Sequence, residues 1–331
     1  MRNDTGKTGK RALVLGCGGV AGAAWSIAVL AALQEQLDWD PRDADIFVGT
    51  SAGAVLSALL AAGVGVDRML ASQHGTAHDC IWNHDTDTGG ALPPVPDLRF
   101  TGLQLAIDGL RGKLNPLTAV TGLLPHGRAD MQPFMNLIDS VVPAGQWAPH
   151  PATWIMAVDT QTGERVPFGH RDAPSLPLNR AVCASYAVPG WCPPVTAGGR
   201  TYIDGGVASP VSADILLDSN VAEAIVLAPM ASTHPDRPQA PLARIERRVR
   251  RYMTGIVDRE VSALEDAGIR VVRLEPGAED LEAFGFNMMD PARRQRVFAT
   301  ALRTAPETVR HALATGPAHR SRPPQRKLLT T

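Results

Sequence analysis

An α/β fold, with a parallel sheet covered by helices, is the architecture this sequence predicts. Three observations carry it. Two short apolar runs of strand type, Ala12 to Leu15 and Ile46 to Val48, each pass through a glycine-bearing turn into a longer helix-type stretch. Those turns, Gly16-Cys17-Gly18-Gly19 and Gly49-Thr50-Ser51-Ala52-Gly53, sit where a strand hands over to a helix. Further strand-type runs at Trp154 to Val158, Ala222 to Leu227 and Ile269 to Leu274 alternate with helical stretches, the order that builds parallel sheets.

Taken in order, residues 1–11 are polar and form a flexible N-terminus. The first strand and glycine loop lead into a helix from Val20 to Glu35; Pro41 marks the connection to the second strand, and Ala54 to Ala62 is the next helix. The apolar run Ala12 to Leu33 follows Lys7, Lys10 and Arg11 and imitates a signal peptide or membrane helix. The glycines crowded at 16, 18, 19 and 22 make a strand, a loop and a buried helix the better reading. Residues 67–150 break the rhythm, with Gly89-Gly90, Pro93-Pro94 and Pro96, an apolar stretch from Phe100 to Leu110, and a helix from Met131 to Val141. This is a candidate cap or insertion, or a plain helical part of the core.

Beyond it lie a hairpin around Thr162-Gly163 that returns through Arg165 to Phe168, and a short helix from Asn179 to Tyr186. The extended run Arg200 to Ile203 enters Asp204-Gly205-Gly206. A long helix from Ala243 to Ala267 carries Ile245, Val249, Tyr252, Ile256 and Leu264 on one side, and a last helix runs from Pro291 to Ala312. Residues 316–331, rich in proline and basic groups, read as a disordered tail. No repeat and no second domain is evident between residues 12 and 312.

Composition sets limits. The chain has 331 residues, 44% hydrophobic and 20% charged, and a net charge of −1, so no basic field argues for nucleic acid. Four cysteines, Cys17, Cys80, Cys183 and Cys192, lack metal-knuckle spacing and suit a reducing, cytoplasmic setting without structural zinc. Cys183 and Cys192 read as packed thiols.

Three motifs carry chemistry. A serine in Gly49-x-Ser51-x-Gly53 is held on a tight strand-to-helix turn that exposes its hydroxyl at the positive end of the next helix; the alternative is a small-residue turn with a serine N-cap. Gly18 and Gly19 can offer backbone N–H groups to an oxyanion. The same loop, as Gly16-x-Gly18-x-x-Ala21 with Asp38 and Asp40 downstream, also satisfies a dinucleotide-binding pattern. Asp204 at a strand end can accept the proton of a serine hydroxyl, or form an ordinary Asp-Gly turn.

Together these residues resemble the patatin-like phospholipase family over nearly the whole chain, from about residue 12 to residue 312. Gly49-Thr50-Ser51-Ala52-Gly53 matches the family's G-x-S-x-G motif and Asp204-Gly205-Gly206 its D-G-G motif, with Gly22 closing the glycine loop. The segment Ala184 to Gly190 followed by Pro193-Pro194-Val195, and the hairpin Asp159 to Phe168, are similar to family segments. The resemblance implies a three-layer α/β/α fold with a central, mainly parallel sheet. It also implies metal-free and cofactor-free hydrolysis of lipid acyl esters by a Ser-Asp dyad: Ser51 as nucleophile, Asp204 as general base, and Gly18 and Gly19 as the oxyanion hole. Two positions depart from the family's G-G-G-x-[KR]-G: Cys17 stands for a glycine and Ala21 for the basic residue. They motivate a second reading, a lipid- or partner-binding protein of the same fold with weakened chemistry.

Other features have competing explanations. A Ser-His-Asp triad needs a late histidine, His234 or His311. His74, His78 and His84 lie near Asp79, Asp85 and Asp87 without a tight metal-ligand spacing. Arg244, Arg247, Arg248 and Arg251 share one helix side, either a solvated face or a peripheral contact with anionic membrane.

Overall fold

The computed structural model describes residues 9–77, 82–84, 86–87, 90–97, 99–100, 102–234 and 238–315. The expected flexible residues before Gly9, the expected tail 316–331, and His78, Asp79, Cys80 and Asp85 lie outside them. A continuous apolar run, buried from Ala12 onward, makes β1 (Lys10–Leu15), which begins two residues before the sequence expectation and leads into α1 (Gly19–Leu37). Then come β2 (Ile46–Thr50), α2 (Ala52–Ala61), α3 (Val66–His74), α4 (Leu103–Leu110), α5 (Pro116–Thr121) and α6 (Gln132–Asp139). The chain continues through β3 (Thr153–Asp159), β4 (Arg165–Phe168), α7 (Leu178–Ser185), β5 (Val195–Ala197) and β6 (Arg200–Asp204). It closes with β7 (Val221–Leu227), α8 (Pro241–Asp266), β8 (Arg270–Leu274), α9 (Ala278–Phe284) and α10 (Arg294–Thr315).

One eight-stranded sheet runs β5-β6-β3-β2-β1-β7-β8, with β4 also on β3. The pairs β3-β2, β2-β1, β1-β7 and β7-β8 are parallel, whereas β4, β5 and β6 run antiparallel to their partners. The two-residue period of the strands sorts their side chains into two layers. Leu13, Leu15, Phe47, Ile155, Ile225 and Val272 point into a core shared with α1, α2, α7 and α10. Their neighbours Ala12, Val14, Val48, Met156, Val226 and Val271 face the other way, toward α8. The fold is therefore a three-layer α/β/α arrangement around a mostly parallel sheet, as the motifs implied. By length and composition α1 could cross a membrane, yet two thirds of its apolar window is buried; it packs between the sheet and α10.

The long helix corrects the sequence reading. In its first half Ile245 is exposed and Val249 half-buried, while Glu246, Arg247 and Arg250 point inward. Arg247 thus leaves the expected solvated stripe, and Arg244, Arg248 and Arg251 remain on it. The reason is hydrogen bonding: carbonyls after β7 and in the last turn of α9 take donors from this face. Arg247 donates to Leu281 O and Gly285 O, and Arg250 to Pro229 O.

Candidate active site

Between the end of β2 and the start of α2 only Ser51 is left to turn the chain. It does so at φ 56° and ψ −118°, a left-handed conformation that costs a residue with a side chain roughly 1–3 kcal/mol. The surroundings hold it there. A Cβ at Gly53 would stand 1.9 Å from the Leu15 carbonyl oxygen, and one at Gly49 2.7 Å from Gly53 O, so glycine is required on both sides. The Ser51 N–H donates to Ser185 Oγ at 2.8 Å, and that hydroxyl donates to Met156 O at 2.6 Å. Ser185, at the end of α7, lies in the stretch read as a short helix and noted for its family likeness; its pinning of the elbow has no local sequence signal.

The strand registers bring Asp204 to this serine. Thr50 pairs with Met156 of β3, and Asp204 pairs with the next residue, Ala157. Since β4 occupies the other edge of β3 at Met156 and Ala157, β2 and β6 follow one another along one edge and meet end to end. The Ser51 hydroxyl and the Gly206 N–H (2.7 Å, to Oδ1) both hydrogen-bond the Asp204 carboxylate. Ser51 is 3% exposed and Asp204 5%. Burial pushes the Asp204 carboxyl up to about 7, against the opposing pull of those two hydrogen bonds. Gly205 lets the turn pass Met156: a Cβ there would stand 2.5 Å from its carbonyl oxygen.

The glycine loop lies alongside. Gly16 N–H donates to Leu227 O, Cys17 N–H to Pro210 O at 2.8 Å, Ala21 N–H to Met288 O at 3.0 Å and Gly22 N–H to Gly18 O. Among the described residues no acceptor engages the N–H groups of Gly18 and Gly19. Gly19 has φ +57°, and a Cβ on it would stand 2.7 Å from Met288 O; one on Gly18 would stand 2.9 Å from the Pro229 ring. The loop's free donors therefore open at the start of α1, while α2 starts at the serine, so two helix N-termini converge on the site. Cys17 has its thiol against Gly206, and burial raises its pKa well above the ordinary thiol range. Ala21 is fully buried in the core.

A second residue that sequence reasoning missed is Arg250. It is 2% exposed, ion-paired with Glu246 at 2.7 Å, donates to Pro229 O at 2.5 Å, and contacts Met288 Sδ at 3.8 Å. Pro229 and Met288 are the two walls of the glycine loop, so a buried cation reaches the loop from a helix more than two hundred residues downstream. Its charge extends to Cys17. The missing basic residue at position 21 has a physical counterpart that no local motif announces.

An apolar pocket has Val20 and Ala52, the chain neighbours of Gly19 and Ser51, in its wall. Its wall also includes Leu59, Met69, Phe134 and Tyr186, together with Ser72 and His84, whose ring Nε2 lies 3.0 Å from the Ser72 hydroxyl. Ser51 and Asp204 are next to its lining and not part of it.

Other candidates are placed elsewhere. His234 and His311 are exposed, and neither hydrogen-bonds Ser51. Asp38 and Asp40 lie past the far end of α1, roughly 28 Å from the glycine loop at 1.5 Å per residue, and Asp40 is taken up by Arg42. That separation excludes the ribose contact of a dinucleotide site. His74 stacks edge-on against Phe298, and His84 accepts from the Trp82 indole. Cys183 and Cys192 are buried thiols with their pKa pushed up to about 12, packed rather than reactive.

No curated protein sequence matches the chain. Among solved structures, VipD from Legionella pneumophila is similar at 14% identity and a TM-score of 0.44, over 92% of this chain and 67% of that one. The type III effector protein ExoU is similar at 16% identity and a TM-score of 0.37, over 91% of this chain and 53% of that one. The chain thus spans about two thirds of the first and about half of the second. The Patatin profile, described as patatin-like phospholipase, matches residues 13–217, the stretch that holds the glycine loop, Ser51 and Asp204. With more than half of its length in that match, the chain belongs to the patatin-like phospholipase family.

Proposed function

We propose that the protein is a serine acyl hydrolase that cleaves lipid acyl esters through a Ser51–Asp204 dyad. The observation that carries this reading is the hydrogen bond between a strained, buried serine and a buried aspartate whose pKa is near 7. A base so tuned is ionised in part at neutral pH and still able to hold a proton. The Ser51 oxygen attacks the ester carbonyl while Asp204 takes its proton. The oxyanion is received by the N–H groups of Gly18 and Gly19 with the field of α1 behind them. Collapse expels the alcohol, which takes the proton from Asp204; water then attacks the acyl-serine, gives its proton to Asp204, and Ser51 is regenerated. No step requires a metal or cofactor. The adjoining apolar pocket suits an acyl chain. Three buried free thiols support action in a reducing compartment such as the cytoplasm.

The weakened-binder reading rested on Cys17 and Ala21. The unengaged Gly18 and Gly19 donors and the nearby Arg250 favour retained chemistry over it. The test is intact mass after exposure to a fluorophosphonate. One phosphonyl adduct is expected on wild type, none on Ser51→Ala, and a much slower one on Asp204→Asn. A folded wild type that takes no adduct overturns the proposal.

A further inference from the structure

The helical hairpin over the aspartate turn exposes more aliphatic surface than a closed protein surface requires. On α4 the residues Leu103, Ile107 and Leu110 follow the i, i+4, i+7 spacing of one helix face, and all are exposed, Leu110 at 91%. On α5 and just beyond it, Val120, Leu123 and Leu124 form a second exposed stripe. The two helices are pressed together through small residues: a Cβ at Gly102 would stand 2.6 Å from Gly122 Cα, and one at Gly109 2.1 Å from Ala119 Cβ. The hairpin is anchored beneath by Leu105, which packs with Val158, Ile203 and Val207, and by Thr118 Oγ1 donating to Val207 O at 2.8 Å. Those anchors flank Asp204-Gly205-Gly206. On the glycine-loop side Leu92 and Val95 are about 80% exposed. Their segment is tied by Asn287 Nδ2 to Ala91 O (2.7 Å), one residue before the Met288 that walls Gly19.

We propose that this surface docks the protein onto an anionic lipid bilayer, placing both flanks of the site against the phase that holds its substrate. The inference rests on the acyl-hydrolase reading for its purpose, and on charge and chemistry for its occupant. Between Leu92 and Arg128 four basic side chains stand against two acidic ones, and Arg99, Arg111 and Lys113 are largely exposed. Arg111 and Lys113 share the single carboxylate of Asp108, so positive charge remains at the tip of the hairpin beside Leu110. Aliphatic insertion with a basic rim is the two-signal pattern of peripheral lipid binding. Protein interfaces instead centre on Tyr, Trp and Arg anchors, which these stripes lack.

The test is flotation of full-length protein carrying Ser51→Ala with vesicles of phosphatidylcholine, alone or with an equal part of phosphatidylglycerol. Binding to the mixed vesicles is expected. Ile107→Glu with Leu110→Glu should weaken it by at least about tenfold, and Arg111→Gln with Lys113→Gln roughly tenfold on anionic vesicles only. Leu110→Ser alone, at a nearly fully exposed position, serves if the double change does not fold. In the Ser51 enzyme the same variants should leave hydrolysis of a water-soluble short-chain ester unchanged. Equal flotation of wild type and variants, or a patch whose substitution instead dissolves a dimer of the chain, overturns the proposal. Vesicle binding by a protein that hydrolyses nothing would sink the catalytic reading and leave the docking surface standing.

Discussion

The two halves of the site are built on different principles. The serine–aspartate half is local in its cause: a one-residue turn, glycines that no other residue can replace, and two strand ends that meet along β3. The glycine-loop half, the proposed oxyanion hole, is held from afar. Its glycines lie against Pro229 and Met288, and those two are gripped by Arg250 on α8. Local construction leaves a motif in the sequence; remote construction does not. The comparison also ranks the fragility of the two halves: a Cβ at Gly53 would stand 1.9 Å from a backbone oxygen, whereas the nearest approach at Gly18 or Gly19 is 2.7 Å.

Breaking the elbow should therefore have the largest effect. Gly53→Ala forces a Cβ to within 1.9 Å of the Leu15 carbonyl oxygen in the adjoining strand. A loss of roughly 5 kcal/mol or more is expected, enough to leave little folded protein. Chemical denaturation, or recovery of soluble protein, measures it; a stable, active Gly53→Ala would refute the rigid-elbow account.

Next comes Asp204, where activity and stability should move in opposite directions. Turnover should fall about 10³-fold in Asp204→Asn, while the wild-type rate should rise with pH and reach half its maximum near pH 7. The stability sign follows from the raised pKa. Unfolded, an aspartate titrates near 4; folded, Asp204 keeps its proton up to about 7. Between those values the folded state binds more protons than the unfolded one, so this group's contribution falls as pH rises and is lowest above pH 7. Asp204→Asn, which keeps the acceptor for the Gly206 N–H, should then be more stable than wild type near pH 8 by on the order of 3 kcal/mol, with the gain vanishing toward pH 4. Melting curves across that range decide it, and a variant less stable at high pH than at low pH, relative to wild type, would contradict the burial account.

Much of this was legible in the chain. The order of strand, glycine loop, helix, strand and elbow fixed the parallel sheet, because each apolar run had strand length and each turn its glycines. Ser51 and Asp204 stood in motifs whose spacing the backbone demands. What escaped around the site and in α8 has one cause, dependence on residues far along the chain. Ile245 and Val249 suggested the wrong inward face for α8, since periodicity cannot know that carbonyls at Pro229, Leu281 and Gly285 wait for arginine donors. Ser185 as the elbow's brace was invisible for the same reason. The short helices α3, α5 and α9 lacked a stripe long enough to read, and α4 was seen only as the apolar stretch from Phe100 to Leu110.

Arg250 sharpens the contrast from the remote side. Arg250→Met should destabilise the protein by about 3 kcal/mol, since Glu246 loses a partner in a buried network. It should also slow phosphonylation of Ser51 about tenfold as the loop walls loosen. Glu246 still faces Arg247 in that variant, so the network keeps one ion pair and the protein should remain folded. Arg250→Lys should recover part of the rate. A loss of stability with unchanged labelling would make Arg250 a structural residue only.

The smallest effect is expected at Cys17, and it separates the two halves most cleanly. If the family glycine at this position supplied an oxyanion donor, restoring it would raise activity. In this structure the Cys17 N–H already donates to Pro210 O, and the side chain fills the space between the glycine loop and Gly206. Cys17→Gly therefore adds no donor and removes buried packing, with a loss of about 1–2 kcal/mol from the lost side chain and the freer unfolded backbone. Activity should stay within about twofold of wild type, a change of well under 1 kcal/mol in the barrier. A tenfold gain in labelling would mean that the loop is still tuned by its own glycines, and that the brace through Pro229 and Met288 is secondary to local backbone freedom.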